Sequence, residues 1–465
     1  MSREVDVAII GAGTAGLSAL GQVRKRTDNF VIINDGPYGT TCARVGCMPS
    51  KMLIEAAEIC HKRHLFEEMG LRLNGSVEVD GPAVLRRVRS LRDKLVKGVN
   101  RATDNLGDKN IPGRAKILSP DLIEVNGEQI RTKALIIATG STPVVPVPWK
   151  NFGERIITSS TLFEMNDLPK SLAVVGLGAI GLEMAQAFSR LGVEVTGFDT
   201  LDTVGGISDP KVAQSAIEIL RKEFAIHLES EVTLEEDGPE RILVRSDDLE
   251  ISVDKVLVAV GRKPNTEGLH MKNLGVPLNR MGIPEFNQHT MQVGELPVFI
   301  AGDVNTRMPI LAEAADDGHI AGVNSIKDEI RSYCRRTCIG IVFTHPNIAA
   351  VGSKYTDLNM DDIVVGAMNY ARGTRAMIAL QNHGLLRLYA EKSTGKLIGA
   401  EMAIPDGEHI AHSISWAIQK GLTVFEMMEL NFYHPVTEEG VRTALRAAVR
   451  KIEKRESGPE IPLCR

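Results

Sequence analysis

Cysteine is scarce in this chain, with six in 465 residues. In a reducing compartment, a close pair among so few is better explained by catalysis or metal binding than by structural bridging. Long apolar runs are missing too. None approaches the ~20 residues that a membrane helix needs. The first ten residues, Met-Ser-Arg-Glu-Val-Asp-Val-Ala-Ile-Ile, lack the basic region, apolar region and cleavage site of a signal peptide. A positive charge excess is also missing. The net charge is -5, so nothing draws the whole chain toward nucleic acid. Together these absences point to a cytoplasmic protein with no membrane or nucleic-acid partner. What is present is ordinary: 43% hydrophobic and 24% charged residues, enough for a core of normal size. At roughly 150 residues per domain, the length allows about three domains.

Residues 5–10 (Val-Asp-Val-Ala-Ile-Ile) read as a buried strand. Gly11-Ala-Gly-Thr-Ala-Gly16 follows, then a helical pattern to about Arg26, then a strand at Val31-Ile-Ile. This βαβ opening implies a parallel sheet. The same device returns at Leu172-Ala-Val-Val-Gly-Leu-Gly-Ala-Ile-Gly181, so two nucleotide-binding domains are expected. Val144-Val-Pro-Val-Pro-Trp149 is a suitable crossing between them. Leu85, Val88, Leu91, Leu95 and Val99 recur at helical steps and predict a long amphipathic helix. Its cations (Arg86, Arg87, Arg89, Arg92, Lys94, Lys97) are expected on a solvated face. From about Phe343 the pattern changes. Alternation over Gly384–Glu391 predicts a strand, and helices are expected near 408–420 and 438–454. This is a third, α+β domain, closed by a polar tail, 456–465.

Gly11-x-Gly13-x-x-Gly16 has the strand before it and the helix after it that a dinucleotide fingerprint requires. The first glycine permits the tight turn, the second a close approach of pyrophosphate, and the third close helix–strand packing. The helix N-terminus attracts the phosphate charge. An acid about 20 residues on should hold a ribose hydroxyl. Asn34 and Asp35 are both candidates. Gly176-x-Gly178-x-x-Gly181 repeats the device, with Asp199 in the acid position. An acid there favours NAD over NADP, because it repels a 2′-phosphate. Two dinucleotide sites in one chain suggest an electron relay between two cofactors.

Cys42-Ala-Arg-Val-Gly-Cys47-Met-Pro-Ser-Lys51 follows the first fingerprint's second strand. Two cysteines bridge only when their Cα atoms come within about 7 Å. An undistorted helix holds residues five apart too far from each other, so a loosened first turn is expected, permitted by Gly46. No second pair stands nearby to complete a structural zinc site, and no metal is expected. A helix N-terminus and a cation, Arg44 or Lys51, could lower a thiol pKa. Cys334 and Cys338 are four apart and could share a helix face, as spare thiols. Cys60 reads as core, and Cys464 as an exposed tail cysteine.

At these residues the chain resembles the pyridine nucleotide–disulfide oxidoreductases, a family that includes dihydrolipoamide dehydrogenase, glutathione reductase and mercuric reductase. Thr40-Thr-Cys-Ala-Arg-Val-Gly-Cys-Met-Pro-Ser-Lys51 resembles the redox-active signature. Ala138-Thr-Gly-Ser141 and Val260-Gly-Arg-Lys-Pro-Asn265 resemble the domain-crossing turns. Ala301-Gly-Asp303 resembles the late flavin element, and Thr344-His-Pro-Asn347 the start of the interface domain. The resemblance implies an α/β fold: two Rossmann-like dinucleotide-binding domains plus a C-terminal α+β dimerisation domain. The expected divisions are 1–149 (FAD-binding, first part), 150–270 (NAD-binding), 271–341 (central, completing the FAD site) and 342–465 (interface). FAD, NAD and a homodimer are implied.

The resemblance also assigns roles. Cys42 would exchange with substrate, and Cys47 would sit against the flavin. Lys51 would lie near the flavin and pair with Glu183. Thr41, Thr139, Gly140, Ser141, Gly261 and Asp303 join the cofactor-binding set. Asp303 would bind the ribityl chain, Ala115 and Ala312 would offer backbone contacts to FAD, and Val232 would touch the NAD adenine. His434-Pro-Val-Thr-Glu-Glu439 resembles the acid–base motif, in which a histidine takes a thiol proton and a carboxylate fixes its tautomer. In the family this histidine serves the other subunit's disulfide.

Within the family, dihydrolipoamide dehydrogenase is the nearest fit. Asp199, with Thr200 and Gly206 where NADP-using relatives tend to place arginines, weakens a glutathione reductase reading. Mercuric reductases end in adjacent cysteines, whereas this chain has only Cys464. Some positions depart from the pattern. Gly39-Thr40-Thr41-Cys42 stands for Gly-Gly-Thr-Cys, Ala43-Arg44 for Leu-Asn, and Phe432-Tyr433 for the His-Ala that precedes the catalytic His-Pro. The reaction implied is electron transfer between a dihydrolipoamide-like dithiol and NAD⁺ through the Cys42–Cys47 disulfide. The partner would be a small thiol or disulfide, or a lipoyl domain of a 2-oxoacid dehydrogenase complex. The alternatives are an NAD(P)H-dependent reductase of another disulfide or of mercuric ion, and a non-catalytic flavoprotein subunit docking to a larger complex.

Overall fold

A computed structural model describes residues 3–247, 249–452 and 461. Strand β1 (Arg3–Ile10) is buried on both faces from Val7 to Ile10, as a central parallel strand must be. Helix α1 (Thr14–Val23) lays Ala15, Ala19, Leu20 and Val23 against it. The chain continues through β2 (Phe30–Asn34), α2 (Thr41–Val45), α3 (Cys47–His61), α4 (Gly81–Asp104), β3 (Asn110–Pro112), β4 (Ala115–Ser119), β5 (Leu122–Val125) and β6 (Glu128–Ile137). The first sheet runs β3-β2-β1-β6-β5-β4, with the first four strands parallel.

Strand β7 (Ser141–Pro143) leads out to a second sheet: β8 (Ile156–Ile157), β9 (Ser171–Val175), helix α5 (Ala179–Arg190), β10 (Glu194–Phe198), helix α6 (Pro210–Leu220) and β11 (Ala225–His227). An antiparallel trio, β12 (Thr233–Asp237), β13 (Arg241–Ser246) and β14 (Leu249–Val253), precedes β15 (Lys255–Val258). The second sheet has the order β11-β10-β9-β15-β8, all parallel. Strand β16 (Arg262–Pro264) then pairs antiparallel with β7. The outward and returning chains therefore lie side by side. Leu269, Met271 and Leu274, just past the return, pack in the core of the first sheet. Strand β17 (Val298–Ile300) adds to that sheet beside β6, and helix α7 (Leu311–Asn324) packs on α1. That crossing is very close: a Cβ on Gly318 would lie 2.0 Å from the Ala15 carbonyl.

The last domain is an antiparallel sheet, β18-β19-β22-β21-β20. Its strands are β18 (Ile339–Val342), β19 (Asn347–Gly352), β20 (Ile363–Asn369), β21 (Leu385–Glu391) and β22 (Leu397–Ile404). Helices α8 (Thr374–Ile378), α9 (Gly407–Lys420), α10 (Val424–Met428) and α11 (Glu439–Val449) accompany it. The expected fold class is the one found. No helix among the described residues is long and apolar enough to cross a membrane.

Two local expectations need correction. Helix α4 is amphipathic, but its cations are not all solvated. Arg92 is buried and pairs with Asp93 and Glu164, while half-buried Arg89 donates to the Phe163 and Met165 carbonyls. Leu95, expected inside, is exposed. The residues around Cys334 and Cys338 form no helix, because Asn324 and Gln419 hold the backbone of Arg331 and Thr337 in an irregular path. Cys334 is exposed and Cys338 half-buried. Cys464 and most of the polar tail lie outside the described residues.

A buried ionic network fastens the second sheet to the last domain. Asp209 is fully buried, caps α6 through the Lys211 amide, accepts Arg387 Nη1 on its two carboxylate oxygens at 2.5 and 2.6 Å, and accepts Tyr389 Oη at 2.8 Å. Glu401, also fully buried, accepts the amides of Ser208, Asp209 and Tyr355. Removing one partner of such a pair strands the other charge, typically at a cost of 3–5 kcal/mol. Asp209→Ala should therefore destabilise the protein by roughly 3 kcal/mol in denaturant unfolding, more than Asp209→Asn, which keeps the cap.

Candidate active site

Both glycine loops bring a helix N-terminus to an open cleft. Gly11 (φ +110) and Gly176 (φ +93) occupy a backbone region that L-residues avoid. Their absent side chains let Ala138 and Ala259 carbonyls approach an ideal Cβ position to 2.2 and 2.5 Å. Gly16 and Gly181 are equally tight, each 1.8 Å from its own loop's carbonyl by the same measure. Gly13 and Gly178 differ. They cap α1 and α5 with no side-chain hydrogen bond, and a Cβ there would meet open space. Unsatisfied amides facing a cradle without side chains suit a pyrophosphate.

The two loops are braced alike. Asn34 Oδ1 accepts the Ala12 amide at 3.0 Å, and Asp199 Oδ2 accepts the Leu177 amide at 2.6 Å. Asn34 therefore holds the strand-end place that Asp199 holds in the second unit. Its Nδ2 donates to the Gly36 carbonyl, and Asp199 Oδ1 accepts the Leu201 amide. Asp35 turns away, taking Arg114 Nε at 2.6 Å. Ala115 is buried at the start of β4, Ala312 is exposed in the first turn of α7, and Val232 is half-buried against the second domain's core.

The cysteines meet where the chain breaks between two helices. Thr40, with φ +57, caps α2 by accepting the Ala43 amide. Gly46 separates α2 from α3, and a Cβ there would stand 3.0 Å from the Thr41 carbonyl and 3.2 Å from Cys42 Cα. The expected loosened turn is thus a full interruption, and Cys47 opens α3. Both cysteines are free thiols here, and each is the largest influence on the other's titration. The Cys42 thiol, helped by the Lys51 ammonium and working against burial, lowers Cys47 to about 6. The neighbouring Cys47 and burial push Cys42 well above the ordinary thiol range. Arg44 is not among the leading influences on either thiol; the charges that act on it are Arg92 of α4 and Glu164.

Lys51 Nζ lies 2.8 Å from both carboxylate oxygens of Glu183, and 4.2 Å from the centre of the Phe343 ring. Glu183 also accepts the Phe343 amide at 3.0 Å. Around this pair opens a cavity of about 550 Å³. Its wall includes Gly13 and Thr14 from α1, Thr41, Cys42 and Cys47 from the redox segment, and Ile180 and Glu183 from α5. Asp303 closes another side. Its Oδ2 accepts Ser141 Oγ at 2.8 Å, and Arg262 donates to both the Ser141 hydroxyl and carbonyl at 2.8 Å. Thr139 Oγ1 bonds the Asn265 carbonyl, Gly140 lines the cavity and Gly261 (φ +115) turns the returning chain. Sequence reading named neither Arg262 nor Phe343 as a site residue. The first stood in the quoted crossing turn and could have been found. The second has no local signal, because only tertiary packing brings it to Lys51.

His434 and Glu439 lie elsewhere. His434 Nδ1 sits 3.0 and 3.1 Å from the Glu439 carboxylate oxygens at the start of α11. This contact and the Val436 amide hold the Glu439 carboxyl below its usual range. The His434 side chain is 72% exposed and does not line the cavity. Within one chain, the acid–base pair and the thiols are therefore apart. Among the described residues no cluster of three or more metal-ligating side chains occurs.

Comparison with known proteins agrees with this geometry. Residues 5–318 match the family described as pyridine nucleotide-disulphide oxidoreductase, and residues 338–445 match its dimerisation domain. A mercuric reductase of Staphylococcus aureus is 29% identical over 97% of this chain and 84% of its own length. A mitochondrial dihydrolipoyl dehydrogenase of Dictyostelium discoideum is 31% identical over 97% of this chain and 95% of its own. The solved HOCl-induced flavoprotein disulfide reductase RclA of Escherichia coli, in a Cu(II) complex, superposes with a TM-score of 0.82. It has 23% identity, covering 96% of this chain and 99% of that one, a likeness of fold.

The thiol geometry sets a titration. Alkylation of Cys47 in the dithiol protein, followed by peptide mass against pH, should show a midpoint near 6. Cys42→Ala removes the S–H donor and should move the midpoint up toward about 8.5. Lys51→Met should move it the same way. An unmoved midpoint in Cys42→Ala would mean that the sulfurs are not in contact.

Proposed function

The chain belongs to the pyridine nucleotide–disulphide oxidoreductase family, and on that premise we propose that it moves electrons between a dihydrolipoamide-like dithiol and NAD⁺. It is a flavoprotein disulfide oxidoreductase using FAD and a nicotinamide dinucleotide. The observation that carries the proposal is the single cavity onto which both fingerprint helices, the thiol pair and Lys51 converge. When bound, FAD supplies the two-electron exchange between a thiolate and a nicotinamide. The chain's own groups do the rest. Gly11, Gly13 and Gly16 admit its pyrophosphate to α1, with Asn34 at the ribose end and Asp303 at the ribityl chain. Gly176, Gly178 and Gly181 do the same for NAD at α5. The Asp199 carboxylate sits where a 2′-phosphate would be repelled.

The sulfur chemistry balances as follows. His434 of the partner subunit takes a proton from one substrate thiol. The resulting thiolate attacks Cys42 Sγ of the oxidised Cys42–Cys47 disulfide, breaking that S–S bond, forming a mixed disulfide and releasing the Cys47 thiolate. The second substrate thiol attacks its own mixed sulfur and frees Cys42. The substrate leaves as a disulfide, and two electrons remain on the cysteine pair. The Lys51 ammonium holds the Cys47 thiolate, and Glu183 holds Lys51. Because His434 faces away from its own cavity, the proposal requires a homodimer, in keeping with the dimerisation domain.

Tyr433 is 76% exposed beside His434, while Phe432 packs into the domain core. In the proposed homodimer, an aromatic ring at that place narrows the route to the partner's thiols. NAD-linked turnover should therefore be compared on dihydrolipoamide, oxidised glutathione and mercuric ion. Turnover of dihydrolipoamide is expected, and Tyr433→Ala should raise its kcat/KM roughly tenfold, as the loss of a ~1.4 kcal/mol steric barrier would. Activity on mercuric ion alone would overturn the substrate.

Separation of the two half-reactions tests the relay. Cys42→Ser should abolish dithiol turnover while sparing electron transfer from NADH to an artificial dye. Loss of both would deny Cys42 its exchange role. A protein that held flavin but turned over no disulfide would instead fit a docking flavoprotein subunit.

A further inference from the structure

Every residue of α5 from Gly181 to Phe188 is buried, yet the helix carries a polar stripe. Glu183, Gln186 and Arg190 stand at steps of three and four along it and are 6, 4 and 8% exposed. Buried polar groups must find partners inside the protein. Glu183 commits its carboxylate to Lys51 and the Phe343 amide. Arg190 pairs with Glu58 and binds Glu223 at 2.6 and 2.8 Å. Gln186 lies between these two, and the thiol relay leaves it without a role.

The Gln186 amide is fully engaged. Its Oε1 accepts the His345 amide at 2.7 Å, and its Nε2 donates to the His345 carbonyl at 2.7 Å and to Glu223 Oε1 at 2.8 Å. Gln186 thus holds both backbone groups of one residue, as a neighbouring strand would. An amide side chain supplies the acceptor and the donor together. A carboxylate lacks the donor, and an apolar side chain lacks both. Glu223 fixes which way the amide is turned. Burial raises the Glu223 carboxyl, but Arg190 outweighs it and holds the group below its usual range, so Glu223 only accepts.

The residue so held is two places from Phe343. Phe343 stands on the cavity wall, with its ring centre 4.2 Å from Lys51 Nζ and its amide 3.0 Å from Glu183. Between them Thr344 is buried and donates to the Pro346 carbonyl at 2.8 Å, so the stretch has little slack. Two rungs, 183 to 343 and 186 to 345, lock the chain just past β18 along α5. We propose that Gln186 is a positioning residue for the thiol site, setting Phe343 against Lys51 and Glu183 through the backbone of His345. This role rests on the thiol relay, in which Lys51 stands beside the Cys47 thiolate. Without the second rung Phe343 is free to withdraw. Water then reaches Lys51 and screens its charge from Cys47.

Alkylation of Cys47 against pH in the full-length dithiol protein tests this. Gln186→Met should raise the midpoint by roughly half a unit or more. Gln186→Asn, which keeps a buried amide but falls one methylene short, should raise it too. Phe343→Leu should act in the same direction, and adding Gln186→Met to it should raise the midpoint no further, because both act on one contact. Asn324→Leu is the matched control. Asn324 is also a buried amide that holds both backbone groups of one residue, Arg331, but at the end of α7 away from this cavity. Its loss should lower stability in denaturant unfolding and leave the Cys47 midpoint in place. A folded Gln186→Met or Gln186→Asn that keeps the parent midpoint near 6 would overturn the role of Gln186 and spare the relay. So would additive shifts in the double variant, or an equal shift in Asn324→Leu. A parent midpoint at the ordinary value of about 8.5 would overturn both.

Discussion

The ion pair of Lys51 and Glu183 is the contact on which the arrangement of the site depends. Lys51 rises from the helix that begins at Cys47, Glu183 from the helix that begins at the second glycine loop, and Phe343 ties its amide to the same carboxylate from the edge of the last domain. Three domains meet at one carboxylate whose side chain is 7% exposed. A charge so placed is tolerated only with its partners. Lys51 satisfies it and faces Cys47 with the opposite sign. The charge that fastens the domains is therefore also the charge that favours a thiolate beside the cavity.

The thiol pair follows the same economy of placement. Gly46 lets the redox segment turn from α2 into α3, so that Cys47 opens a helix and Cys42 lies close enough to govern its titration. The two sulfurs then have opposite characters from nearly identical surroundings. Each acts on the other, so that Cys47 is lowered and Cys42 raised. A dithiol exchange site needs this asymmetry, since one sulfur must leave as thiolate while the other receives the attack.

The nucleotide loops show the fold using one solution twice. Asn34 and Asp199 brace equivalent turns through equivalent amides, yet only one carries a charge. The neutral side chain shows that the brace needs an acceptor oxygen, not a carboxylate. The second domain hangs on the paired crossings β7 and β16, and Arg262, on the returning strand, reaches Ser141 and through it Asp303. The hinge of one nucleotide domain is thus bonded to the floor of the other.

Much of this was legible in the amino-acid order. The two strand–glycine–helix units, the long helix at 81–104, the cysteine spacing and the His434–Glu439 step are local patterns, and local patterns report backbone requirements directly. Other features had no local expression. Arg92 reads as one more cation on a solvated face, and only the packing of the Glu164 segment buries it. Phe343 carries no motif, and Arg44 sits between the cysteines yet the charges acting on it are those of Arg92 and Glu164. Asn34 and Asp35 were equivalent candidates until the Ala12 amide and Arg114 separated them. The chain's order determined which groups a thiol relay would use, because spacing and turn chemistry act over a few residues. Tertiary structure alone decided which of them share a cavity, which charges are buried and that His434 faces outward. Those outcomes depend on residues far apart in the chain meeting in space, 132 positions for Lys51 and Glu183 and 72 for Arg92 and Glu164.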